Sequence, residues 1–177
     1  YKPWRFIGVG AGFFFTPPID GNKTYSGEAR DKNLRWQIEE NRLMYLFAFR
    51  SGVYLYSPPV YLNHDHDVAL SFRVSPGVTI PLPPNLSTSV DYVPKDAIIH
   101  VPATSGEVSN SHAKACYYHV KFAMALEVER VSVLLGYTIS DYDLYGGSRN
   151  MIVEGQKIEL PRKKQAGTFF IGLTYDF

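Results

Sequence analysis

Six stretches of this chain alternate apolar side chains with small or polar ones over about 10 to 14 residues each. Successive side chains on a strand point to opposite faces, so each stretch reads as a strand with one greasy face and one polar face. The cleanest is "DVALSFRVSPGVTI", in which Val68, Leu70, Phe72, Val74, Val78 and Ile80 oppose Ala69, Ser71, Arg73, Ser75, Gly77 and Thr79. In "CYYHVKFAMALEV", Tyr118, Val120, Phe122, Met124, Leu126 and Val128 oppose His119, Lys121, Ala123, Ala125 and Glu127. The same code runs through "WRFIGVGAGFFF", "LMYLFAFRSGVYLY" and "VSVLLGYTIS", with Leu134 as its exception in the last. The sixth stretch, "GTFFIGLTYDF", puts Phe169, Ile171, Leu173, Tyr175 and Phe177 on one face.

Strands of soluble domains commonly run about 5 to 6 residues, whereas a tilted strand needs about 9 to 11 to cross a bilayer. Membrane barrels also alternate apolar toward lipid with polar or small toward the lumen. The connections are a separate test. They measure about 27, 10, 34, 2 and 27 residues in chain order, so long and short alternate. In an up-and-down barrel the three long ones emerge together, on the extracellular side, and both termini lie on the periplasmic side. Aromatic residues suggest two interfacial girdles: Trp4, Tyr54, Tyr56, Tyr175 and Phe177 at one rim, Tyr117, Tyr118, Tyr142 and Tyr145 toward the other.

Composition removes several classes. With 18 basic and 17 acidic residues the net charge is +1, too small to draw in nucleic acid. Cys116 is the sole cysteine, which rules out an intramolecular disulfide. No run approaches the ~18 apolar residues of a membrane helix. No basic-then-apolar leader opens the chain, so an exported protein is expected here as a processed form or a fragment.

The ending "FIGLTYDF" resembles the C-terminal assembly signal of Gram-negative outer-membrane β-barrels, with Gly172, Tyr175 and Phe177 filling its pattern and Phe170 standing where many members carry a polar residue. The resemblance implies that the assembly machinery of the outer membrane reads this strand, in the manner of edge pairing. The wider architecture is similar to the small OmpA/OmpX-like class. The expectation is therefore one domain over 1–177: an all-β, antiparallel, up-and-down transmembrane barrel of about eight strands with long extracellular loops. Six strands are read from alternation. Two more must come from "LRWQIE" (34–39), "AIIHV" (97–101) or "MIVEGQKIEL" (151–160), though these also fit hairpins above the membrane. Pro76 inside a strand calls for a bulge.

The outward set Val68, Leu70, Phe72, Val74, Val120, Phe122, Met124, Leu126, Phe169, Ile171 and Leu173 is expected to face lipid. Inward Arg50, Arg73, His119, Lys121, Glu127 and Asp176 are expected to form a charge network plugging a lumen just wide enough for side chains. "HDHD" (64–67) has metal-ligand residue types but too few of them for a site, and reads as a polar turn. Ser109, Ser111 and His112 in "SNSHAK" have hydrolase residue types with no geometry fixed by sequence. Ala97, Ile98, Ile99 and Val101 form an apolar patch in a loop, a candidate contact for another envelope protein or for the barrel mouth. No cofactor or metal is expected. The function expected is a non-enzymatic structural, accessory or binding subunit of the cell envelope, acting through its loops among outer-membrane lipids. A small porin and a soluble lipocalin-like ligand-binding barrel are the alternatives.

Overall fold

The computed structural model describes residues 6–17, 23–95, 104–110, 112–161 and 167–175. In chain order its strands are β1 (Ile7–Phe15), β2 (Thr24–Glu28), β3 (Leu34–Glu39), β4 (Phe47–Tyr56), β5 (Val60–Tyr61), β6 (Val68–Leu82) and β7 (Ser87–Pro94). They continue as β8 (Thr104–Ser109), β9 (Tyr117–Val128), β10 (Val131–Ser140), β11 (Ile152–Val153), β12 (Gln156–Lys157) and β13 (Gly167–Tyr175). The six alternating stretches are β1, β4, β6, β9, β10 and β13. They pair in that order, all antiparallel, as an up-and-down meander curled into a half-barrel.

The short connections gather at one end. Glu129 and Arg130 join β9 to β10, while β5 extends the β4 hairpin beyond Pro58 and Pro59 to a turn at 63–66. Pro76 sits in β6 without a bulge. Pairing with β9 runs unbroken through it, with Pro76 opposite Val120. Toward β4 the ladder lapses between Gly52↔Gly77 and Leu55↔Val74, then resumes in the same register. Proline lacks the N–H that this side needs, so two rungs are lost rather than a residue looped out. The strands draw close there: a Cβ on Gly77 would lie 2.3 Å from Ser51 O, and one on Gly52 2.8 Å from Pro76 O.

The long connections fold together at the opposite end. The β2–β3 hairpin and the β7–β8 hairpin pair through β3 and β7 into a second, four-stranded sheet in the order β2-β3-β7-β8. The third long connection carries the small β11–β12 hairpin. Residues 34–39 and 151–160 thus belong to this cap, and neither supplies a seventh or eighth strand of the half-barrel. Residues 97–101 lie outside the described residues.

The apolar core lies in the cap. Among the described residues it comprises Tyr25, Trp36, Ile38, Leu43, Met44, Tyr45, Leu86, Val90, Tyr142, Leu144, Tyr145, Met151, Val153 and Ile158, with Ala48 and Tyr117 contributed by the curled sheet and half-buried Phe14 packed against it. Alternation in β3 explains part of it, since Trp36 and Ile38 share the face turned inward. Backbone and side-chain bonds staple the third connection to the others. Tyr45 N–H donates to Leu144 O at 3.0 Å, Ser148 Oγ to Leu43 O at 2.9 Å, and Asn110 Nδ2 to Gly147 O and Arg149 O at 2.9 and 2.8 Å. Gly146 lets the Tyr117 ring close, for a Cβ there would sit 1.9 Å from the phenol oxygen.

Ile38 is fully buried in the cap. Ile38→Ala should therefore cost about 2–5 kcal/mol of cap stability, read from urea titration of Trp36 fluorescence. A change under about 0.5 kcal/mol, the range of surface substitutions, would contradict this core.

Candidate functional site: the lumen and its cap

The half-barrel inverts the usual distribution of polarity. On the outer face Phe72, Phe122, Met124, Leu126, Phe169, Ile171 and Leu173 are exposed, Leu173 to 74%, and Val68, Leu70, Val74 and Val120 are half-buried. On the inner face Ser71, Ser75, Thr79, Ala125, His119, Ser132 and Thr138 are buried, Ser75 and His119 at 3% exposure. Parity of position alone sorts the two sets, as strand geometry requires. Leu134 turns inward and is buried, filling space beside Gly172.

The inward charges divide into two groups. Toward the short-turn end Arg73 Nη2 donates to Glu127 Oε1 at 3.0 Å and to Ser132 Oγ at 3.3 Å, and Ser71 Oγ donates to the same Glu127 oxygen at 2.6 Å. The Arg73 guanidinium also lies 5.3 Å from the Tyr56 ring centroid. Nearer the cap, His119 Nδ1 is hydrogen-bonded to Thr79 Oγ1 at 3.0 Å, and the Arg50 guanidinium stacks 3.8 Å from the Phe14 ring centroid. Lys121 faces this upper group. Asp176 lies outside the described residues. Among the described residues the anticipated charges thus fall into an ion-paired cluster of Arg73 and Glu127 and an upper group of Arg50, Lys121 and His119.

Aromatic rings close the cap end of the lumen. Tyr142 meets Phe14, Tyr45 and Tyr117 with centroids at 6.4, 6.3 and 5.2 Å. Tyr142 and Tyr145 are wholly buried in this core and Tyr117 nearly so, while Tyr54 and Tyr56 turn into the lumen, so none of these five belongs to an outer girdle. Tyr118 and Tyr175 do project outward; Trp4 and Phe177 are outside the described residues. Of the assembly-signal residues, Gly172 and Tyr175 occupy β13 as the alternation requires.

The cap's electrostatics follow from burial. Burial pushes the Tyr45 phenol up to about 12, aided by the Asp143 carboxylate. Burial likewise raises Tyr142, and raises Tyr145, which also donates a hydrogen bond to Glu40. Arg149 grips Asp143 with a fork, Nε to Oδ2 at 2.5 Å and Nη2 to Oδ1 at 2.9 Å. Burial alone would raise the Asp141 carboxyl, but hydrogen bonds from Lys114 Nζ at 2.5 Å and Tyr118 N–H at 2.7 Å hold it below its ordinary value.

The remaining sequence candidates fall at the surface. His64 and His66 sit exposed in the turn before β6, His66 with its ring 4.5 Å from that of Tyr61, and no group of three metal-ligating side chains occurs among the described residues. Ser109 is an exposed residue of β8, Ser111 is outside the described residues, and His112 is exposed beside a cavity of 270 Å³. Among the described residues that cavity has no Ser, Thr or Cys in its lining. The signal missed in sequence was "DYDLYGGSRN", whose Tyr142, Asp143, Tyr145 and Arg149 organise the cap.

No protein family, curated protein or solved structure matches this chain.

Two outcomes follow. Tyr45 has a raised folded-state pKa, so its contribution to stability is complete below the ordinary value of 10.0 and is lost as pH rises through about 12. Absorbance titration should show buried phenols ionising only as the cap opens, whereas complete ionisation near 10 with Trp36 fluorescence unchanged would contradict the packing. Glu127→Ala should cost about 1–3 kcal/mol by leaving Arg73 with lost hydrogen bonds in a confined lumen. The double substitution Arg73→Met with Glu127→Ala should cost less than the two single changes added together; additivity would mean the pair is not coupled.

Proposed function

We propose that the chain is an integral outer-membrane β-barrel without enzymatic activity, serving the cell envelope as a structural, accessory or binding subunit through its capped loop end. One observation carries the reading: every strand of the curled sheet presents exposed apolar side chains outward, while the inward faces of β6, β9 and β10 bury chiefly small or polar ones. An apolar belt of this extent far exceeds what a monomeric protein leaves facing water. It fits acyl chains, and strands of 9 to 15 residues are long enough to cross them. The long connections at one end, and short turns at the other, support an extracellular cap and a periplasmic turn side.

A count of about eight strands is part of this proposal. Among the described residues β1 and β13 end the sheet, and hydrocarbon does not tolerate unsatisfied backbone groups. In a bilayer those two edges must therefore be joined. They run in opposite directions, so either direct pairing or an even number of further strands between them keeps the antiparallel order. The machinery that assembles such barrels is the proposed reader of β13 and its terminal residues.

The same inversion weighs against a soluble lipocalin-like barrel, which needs an apolar interior for its ligand. The aromatic closure of the cap end weighs against a porin. Purified protein should need detergent to stay dispersed, and should migrate differently on a gel before and after boiling. Planar bilayers should show no single-channel current. Solubility without detergent and heat-independent migration would refute the membrane reading, and steady current would favour the porin.

A further inference from the structure

Two cavities inside the curl, of 350 and 390 Å³, adjoin one another, for they share Ala11, Tyr54, Lys121 and Phe170 in their linings. Its upper part is lined by Arg50, Lys121 and the hydroxyl-bearing Ser51, Thr138, Ser140 and Thr168. No carboxylate lines either cavity among the described residues. Among the described residues of the sheet the luminal acid Glu127 is already bonded to Arg73 and Ser71, at the other end.

Arg50 and Lys121 repel one another across this space. Arg50 rests a guanidinium face on Phe14, a contact that uses none of its in-plane N–H donors, and its buried Nε has no acceptor among the described residues. Two confined like charges with no counter-charge are costly unless an anion neutralises them. A guanidinium offers a planar fork that matches an oxyanion, an ammonium adds a compact charge, and hydroxyls supply neutral donors.

We propose that the upper lumen is a binding site for a tetrahedral oxyanion of the phosphate class, held by Arg50 and Lys121 with the surrounding hydroxyls. The site stands on the lumen geometry and goes beyond the proposed membrane role. The phosphate can be free or can belong to a lipid headgroup, in either case entering along the lumen from its short-turn end.

The test is equilibrium dialysis of the full chain, in non-ionic detergent at low ionic strength, against radiolabelled inorganic phosphate. Saturable binding near one per chain is expected, weakened at least tenfold by Arg50→Gln or by Lys121→Met, and unchanged by Lys114→Met in the cap. Lys121→Glu replaces a repelling neighbour of Arg50 with an attracting one, so it should fold with wild-type gel mobility and bind no phosphate. Competition by short-chain phosphatidic acid, but not by the matching diacylglycerol, assigns the phosphate to a lipid; phosphate binding without that competition assigns it to the free ion. Absence of saturable binding, or binding that survives Lys121→Glu, overturns the proposal.

Discussion

A strand has two faces, and in this protein the face turned inward along the curled sheet is too small and too polar to make a hydrophobic core. Ser71, Ser75, Thr79, Ser132 and Thr138 are buried there, where a soluble barrel would carry leucines and valines. Burying apolar surface is the dominant favourable contribution to folding. The chain must find that contribution elsewhere, and does so in two places. One is the cap, where Trp36, Ile38, Tyr45, Tyr142 and Tyr145 pack together. The other is the outer belt, whose apolar surface gains nothing until something other than water covers it.

The architecture of the long connections follows from this division. They are a folded unit of three hairpins, closed by the Asp143–Arg149 fork and the aromatic cluster over the lumen. A cap of that kind fixes the ends of β1, β4, β6, β9 and β10 relative to one another. It also offers an ordered surface, which is what a rigid scaffold provides for recognition.

Much of the sheet was legible because period-two alternation is a local property. The six strands, their order and their two faces could be taken from residues such as Leu70, Phe72, Arg73 and Ser75 without knowing any partner. The cap was not legible for the opposite reason. Ser148 meets Leu43 across 105 positions of sequence, and no local pattern announces such a contact. Judged by composition, "DYDLYGGSRN" is a polar loop, and its buried tyrosines were mistaken for an outer girdle. Tyr54 and Tyr56 were placed at a rim although their parity with Gly52 set them in the lumen. Pro76 was expected to loop out a residue, because sequence shows a missing donor but not that the sheet can drop two rungs and keep its register. Arg50, Arg73, His119, Lys121 and Glu127 do share the inward face, yet pairing depends on height as well as face. Glu127 meets Arg73 and lies too far along the strand to serve Lys121, six residues or about 20 Å away at the rise of a strand.

The central claim is that the outward faces touch acyl chains, and site-directed spin labelling tests it most directly. With Cys116 replaced by serine, single cysteines placed in turn from Val120 to Leu126 carry a nitroxide in protein reconstituted into phospholipid vesicles. The account predicts a period of two in collision with molecular oxygen, which concentrates in the bilayer: high at 120, 122, 124 and 126, low at 121, 123 and 125. Labels at 122 and 124 colliding instead with a water-soluble nickel complex, or no alternation along β9, would contradict it.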